Sequence, residues 1–214
     1  MESGQSLLQT NPISAQVYAS LKKDILEGTL QPGDRLLVLD IAGKFQISQA
    51  PVREALERLK HEGLIVSKPN KGSVVSDITH KEIRDIFVLR EIIEGFAVRE
   101  SVPTMKEEDF QYLHDVLTRL DKAVKQNDIL QILEIDMEFH GFFYKRCGNQ
   151  AILELWQHMK TKVMRFMAIS NRYHSTEKLV EGHLALIESI RTGSIAHVEK
   201  SFIEHMKSYK WILN

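Results

Sequence analysis

Hydrophobic residues recur along the chain with two different periods, and the change of period divides it. Val17, Tyr18, Leu21 and Ile25 are spaced for one face of a helix that Gly28 stops. Ser14 is the expected N-cap, and Gln31-Pro32-Gly33-Asp34 is turn chemistry. A second amphipathic segment, Val38 to Phe45, turns Val38, Ile41, Ala42 and Phe45 to one side. Ser48 then caps a third, in which Pro51 falls in the first turn and Val52, Ala55, Leu56 and Leu59 form the buried stripe up to Gly63. After Gly63 the period shortens. Leu64-Ile65-Val66 and Ser73-Val74-Val75, separated by Pro69-Asn70-Lys71-Gly72, predict a two-stranded hairpin with a basic tip. Helix, helix-turn-helix and hairpin in this order predict a winged helix-turn-helix.

From residue 79 onward the period is helical throughout. Thr79 with Glu82, and Thr104 with Glu107, have the spacing of capping boxes. The apolar pattern predicts helices near 80–101, 105–126, 128–146, 150–172, 176–192 and 195–212. The fold expected is mainly α: residues 1–12 as a flexible N-terminus, 13–78 as the winged helix-turn-helix, and 79–214 as an all-α helical bundle.

Composition adds limits. Hydrophobic residues at 43% and charged residues at 27% are ordinary for a globular protein that buries a core. No apolar run approaches the ~18 residues of a membrane span, the N-terminus lacks signal-peptide character, and the single Cys147 fits a reducing compartment, so a cytoplasmic location is expected. The net charge of -1 carries no overall signature of a nucleic-acid binder. Residues 1–78 hold nine basic and nine acidic side chains, and Ser48 to Gly72 shows a weak local excess, five basic to three acidic. DNA binding must therefore rest on where charges sit.

With these elements placed, the chain resembles the GntR family of bacterial regulators in its FadR-type subgroup. Gln31-Pro32-Gly33-Asp34-Arg35-Leu36 is similar to the family's turn after its first helix. Ile47-Ser48-Gln49-Ala50-Pro51-Val52-Arg53-Glu54-Ala55-Leu56 resembles its recognition helix, and Glu62-Gly63-Leu64-Ile65 its entry to the wing. Asp136-Met137-Glu138-Phe139-His140, Gly148-Asn149, His183 and His205 resemble the subgroup's FCD effector domain. The chain departs from the family at Gln49, where Arg is usual, and at Ala50, where Thr is common, which affects the base sequence preferred.

A recognition helix enters the major groove by its first two turns, so Gln49, Ala50 and Arg53 are the expected base readers. Arg53 suits guanine and Gln49 adenine. Ser48 is chiefly a cap with a secondary phosphate contact, and Lys71 and Gly72 are placed for phosphate or the minor groove. Arg35 suits either a phosphate or an ion pair with Asp34 or Glu27. The partners implied are double-stranded DNA with a palindromic operator and a second copy of the chain.

In the second half, Asp136 and His140 lie one turn apart within the apolar stripe Ile129, Ile132, Leu133, Phe139, Phe143. His183 shares a stripe with Leu186, Ile187 and Ile190, and His205 with Val198 and Phe202. Four polar groups on three inward faces require partners. The spacing leaves open a shared divalent cation or an internal hydrogen-bond network. The resemblance matches all four positions to metal ligands, zinc first, with nickel, manganese, iron or cobalt as alternatives. His61, His80, His114, His158, His174 and His197 lack that inward register and are expected at the surface. Arg90, on an inner face, either pairs with Glu94 or receives the carboxylate of a small organic-acid effector. A regulator without enzymatic activity is expected; the rival readings are a metal-dependent enzyme using the same cluster and a regulator whose metal is purely structural.

Overall fold

The computed structural model describes residues 12–171 and 178–207. Residues 1–11 of the expected flexible tail, the helix ends placed at 172, 176 and 212, and His174 lie outside them. The described residues form two compact units: those up to Ile25 with Thr29–Ser76, and Leu26–Gly28 with those from Asp77 onward.

The first unit holds α1 (Ile13–Glu27), β1 (Arg35–Leu36), α2 (Val38–Phe45), α3 (Gln49–His61), β2 (Ile65–Lys68) and β3 (Gly72–Val75). Its core is made by the stripes the periodicity marks, with Val17, Leu21, Ile41, Val52, Ala55, Leu56 and Leu59 buried against Leu64, Ile65 and Val75. Helix α2 ends on Gln46 in the left-handed region, whose N–H reaches back to the Ala42 and Gly43 carbonyls. This reversal sets α3 after a very short turn. Two details differ from expectation. Helix α1 begins at Ile13, so Ser14 lies inside its first turn rather than capping it. The wing is three-stranded, because Arg35 and Leu36 pair antiparallel with Val74 and Ser73. A strand of two residues is too short to show alternation. Strands β2 and β3 pair antiparallel from Ile65–Val75 to Lys68–Gly72.

The second unit is helical: α4 (His80–Ser101), α5 (Glu107–Lys125), α6 (Ile129–Arg146), α7 (Gln150–Asn171), α8 (Leu179–Thr192) and α9 (Ile195–Met206). The Thr79–Glu82 capping box forms: the Glu82 backbone N–H donates to Thr79 Oγ1, and the Thr79 backbone N–H donates to Glu82 Oε2 at 2.9 Å. The Thr104–Glu107 box does not. Residues Val102–Thr104 take a 3-10 turn in which Thr104 donates to the Ser101 carbonyl, and Asp109 instead accepts the Lys106 N–H at 2.7 Å, so α5 starts later. Helix α4 packs on α9, α6 and α7. With α5 they enclose a core that includes Phe87, Ile93, Leu113, Leu120, Ile132, Leu133, Phe139, Phe143, Val163, Val198 and Phe202.

Leu59 is fully buried on α3, where its loss would leave a cavity under the recognition helix. Leu59→Ala is expected to cost about 2–5 kcal/mol. Chemical denaturation of the purified variant measures this; an unchanged unfolding midpoint would contradict the packing described.

Candidate functional site

The polar cluster of the second unit is assembled from three helices. Helix α6 contributes Asp136 and His140, one turn apart on its buried face; α8 contributes His183, and α9 contributes His205. Asp136, His140 and His183 are each no more than 1% exposed, and His205 is half-buried. Ring nitrogens of the three histidines lie within 4.8 Å of one another. Nitrogens sharing one ion at about 2.1 Å stand within about 4.2 Å of each other, so the triad is only slightly wider than a ligand set. Gly182 helps to admit this approach: a Cβ there would stand 3.3 Å from His205 Cε1.

The hydrogen bonds around the rings fix which nitrogen faces inward. His183 Nδ1 donates to the Leu179 carbonyl at 2.8 Å, which turns Nε2 toward the cluster. His140 Nδ1 is held by Glu94 Oε1 in a very short contact. With each Nδ1 so engaged, each neutral ring presents an Nε2 lone pair. Asp136 Oδ1 lies 3.1 Å from His183 Nε2, but the approach lacks hydrogen-bond alignment. Both carboxylate oxygens of Asp136 and the His183 Nε2 therefore have no hydrogen-bond partner among the described residues. A lone pair facing a carboxylate at this distance requires a cation between them or a proton on the ring. Three imidazoles with one carboxylate are the donor set of a divalent transition metal, so the residues fit the group that the family resemblance implies.

Burial sets the protonation states. It pushes His205 well below the usual imidazole range, with His183 and His140 adding to the effect. Burial also lowers His140, against the opposing pull of Glu94. Burial opposes ionisation of Asp136, yet His183, His140 and Arg90 outweigh it and hold the carboxyl far down. An ionised carboxylate and neutral imidazoles are the forms that bind metal.

Glu94 is the functional residue that the sequence reading undervalued. Besides His140, its carboxylate accepts from Arg90 Nε at 2.9 Å and from the Tyr144 hydroxyl at 3.0 Å. The sequence marked Glu94 only as the partner of Arg90. The missed signal was Tyr144, one turn beyond His140 on the same face of α6, a phenol needing a buried acceptor. Of the two readings of Arg90, the pairing with Glu94 is the one that forms. Its Nε pairs with Glu94, while its Nη2 is buried without a partner among the described residues.

In the first unit, Ser48, Gln49, Ala50 and Arg53 are exposed at the start of α3. Ser48 has extended backbone at the cap position, but its side chain makes no capping hydrogen bond. Arg53 Nη2 donates to Gln49 Oε1 at 3.0 Å, so the two side chains lie as a pair. Arg35 Nε donates to the Lys71 carbonyl at 3.2 Å, tying β1 to the wing tip. Gly72 has φ +70, with open space where a Cβ would stand; turn conformation accounts for this glycine without any crowding. His61, His80, His114, His158 and His197 are exposed.

An exposed helix-turn-helix beside a three-stranded wing, joined in one chain to a helical domain with a buried carboxylate–histidine cluster, has the organisation of a DNA-binding transcription regulator. Residues 13–75 match the gntR family of bacterial regulatory proteins, and residues 85–208 match the FCD domain. The chain belongs to the GntR family of transcriptional regulators, with an FCD C-terminal domain, and its families and relatives are regulators rather than enzymes. It is 26% identical over 199 residues to the HTH-type transcriptional repressor RspR of Escherichia coli, covering 92% of this chain and 87% of that one. It is 27% identical over 183 residues to the gluconate operon transcriptional repressor of Bacillus licheniformis, covering 83% and 75%. In fold it is similar to Escherichia coli McbR/YncC, with TM-score 0.76, 23% identity and coverage of 95% and 98%. No helix among the described residues is long and apolar enough to cross a membrane.

Arg90 and His140 hold the Glu94 carboxyl down at about 2 against the opposing effect of burial, from an ordinary 4.5. A depressed folded pKa contributes stability that is complete above the unfolded value and is lost as pH falls through the folded one. Thermal stability should therefore decline between about pH 4.5 and 2, and Glu94→Gln should decline less steeply across that window. Parallel slopes for the two proteins would contradict this assignment.

Proposed function

We propose that the chain is a cytoplasmic homodimeric repressor of a palindromic operator, and that a small organic acid bound at a divalent metal controls its operator affinity. The observation that carries the control half is the orphaned trio of Asp136 Oδ1, Asp136 Oδ2 and His183 Nε2, sealed from water and facing two more imidazoles. Leaving such groups unpartnered is costly, and one cation satisfies them together. Asp136, His140, His183 and His205 would hold the metal, with zinc favoured over nickel, manganese, iron or cobalt. Bound there, the ion supplies a Lewis-acidic centre for a carboxylate; four protein ligands leave up to about two positions in an octahedral set. The chain's own residues do the rest. Glu94 orients His140 and, with Tyr144, holds Arg90, whose free Nη2 is available to a second acidic group of the effector.

For DNA, Gln49, Ala50 and Arg53 read bases in the major groove, while Ser48, Arg35, Lys71 and Gly72 serve phosphates or the minor groove. Support comes from their exposure, from the ordered Gln49–Arg53 pair and from the tie between Arg35 and the wing tip. Relatives named as repressors support the repressive sense. An effector changes operator affinity only by its differential affinity for two states of the dimer, with a coupling of about 1–3 kcal/mol.

Arg53→Ala should weaken specific operator binding by about 1–3 kcal/mol per half-site while leaving thermal stability nearly unchanged. Fluorescence titration of operator DNA checks it, and full affinity in the variant would remove Arg53 from the base readers. Elemental analysis of the purified protein should find about one divalent metal per subunit, falling in His183→Ala and in His205→Ala. Metal content unchanged in both would dismiss the ligand set. Among a panel of metabolite acids, the one that shifts operator affinity should lose that effect in His140→Ala. An equal shift in both proteins would leave the metal without a role in control, consistent with a purely structural ion.

A further inference from the structure

The outer face of α4 is unusual for a helix whose opposite face is buried. Val88 is 51% exposed, Leu89 39% and Ile92 66%, with Phe96 partly buried beside them. Along this stripe stand Asp85, Val88, Ile92, Phe96 and Arg99, separated by three, four, four and three residues. The order is symmetric about Ile92: an apolar residue lies four positions to either side, and charges of opposite sign lie seven to either side. A two-fold axis maps a surface onto itself, so a face that complements its own reverse is suited to a second copy rather than to an unrelated protein.

We propose that this face of α4 is the contact between two copies of the chain, with the helices antiparallel and Ile92 on the two-fold axis. This rests on the homodimer reading above and supplies its interface. Ile92 meets the partner's Ile92, Val88 meets the partner's Phe96, and Asp85 meets the partner's Arg99, with the charged pairs about 10 Å from the axis at each end. Apolar contacts form the core of the interface, and the charged pairs form its rim. Within one subunit Asp85 already pairs with Lys81 at 2.5 Å, and Arg99 with Glu199 at 3.2 Å. Both are exposed pairs, weakly held and able to share their charges across the axis. A parallel pairing would instead set Asp85 against the partner's Asp85 and Arg99 against the partner's Arg99, a repulsive register at both ends.

The test uses the full chain with Cys147→Ser to remove its only native thiol. Added Ile92→Cys should give a disulfide-linked dimer under mild oxidation, whereas Tyr112→Cys on α5 should not. By analytical ultracentrifugation, Asp85→Arg and Arg99→Asp should each raise the dimer dissociation constant about tenfold or more, and the double exchange should restore it. A dimeric wild type that neither cross-links through Ile92→Cys nor responds to either charge reversal would overturn the α4 contact and leave the homodimer standing. A wild type that saturates its operator as a monomer would overturn the homodimer reading itself, and the α4 contact with it.

Discussion

The second unit is organised around the burial of a carboxylate and three imidazoles inside a hydrophobic bundle. Asp136, His140 and His183 are enclosed by Phe139, Phe143 and Phe202, with Phe139 packing edge-on against both His140 and His183. Such a position is tolerable only when every polar atom is answered. Most of them are: the rings of His140 and His183 are tied on one side by Glu94 and the Leu179 carbonyl, and Glu94 in turn binds Arg90 and Tyr144. What is left unanswered points to one place. That concentration of unmet demand, rather than the mere presence of histidines, is what supports the proposal of a ligand-binding centre over a satisfied internal network.

The chain of contacts also bears on the proposed control by a small acid. Arg90, Glu94, His140 and Tyr144 link α4 to α6, His183 brings in α8 and His205 brings in α9. A molecule bound among them touches four helices at once. The coupling such a molecule can exert is bounded by its differential affinity for two arrangements of those helices. A site spanning many elements therefore has more ways to discriminate between arrangements than a site on one.

Much of this was legible in the sequence, for identifiable reasons. The buried stripes of α1, α2, α3 and α6 follow a clean helical period, so Val52, Leu56, Leu59, Ile132, Leu133 and Phe143 could be assigned inward without a structure. The inward register of Asp136, His140 and His183 came from the same signal. Elements set by tertiary contact were less visible. Strand β1 exists because Arg35 and Leu36 happen to lie beside β3, and Thr104 spends its hydroxyl on a 3-10 turn that competes with the capping box its spacing suggests. Glu94 was seen only as a partner for Arg90, because a contact across 46 residues to His140 leaves no periodic trace.

In the proposed control, an acid acts on DNA affinity through an ion held by Asp136 and the three histidines. Cobalt(II) loaded into the full-length protein makes that directly visible, since its d–d absorption reports ligand type and coordination number. The spectrum should be one of nitrogen and oxygen ligation that changes when the acid that alters operator affinity is added, with the same concentration dependence in both signals. An acid that alters operator affinity while the cobalt spectrum stays fixed would contradict this control.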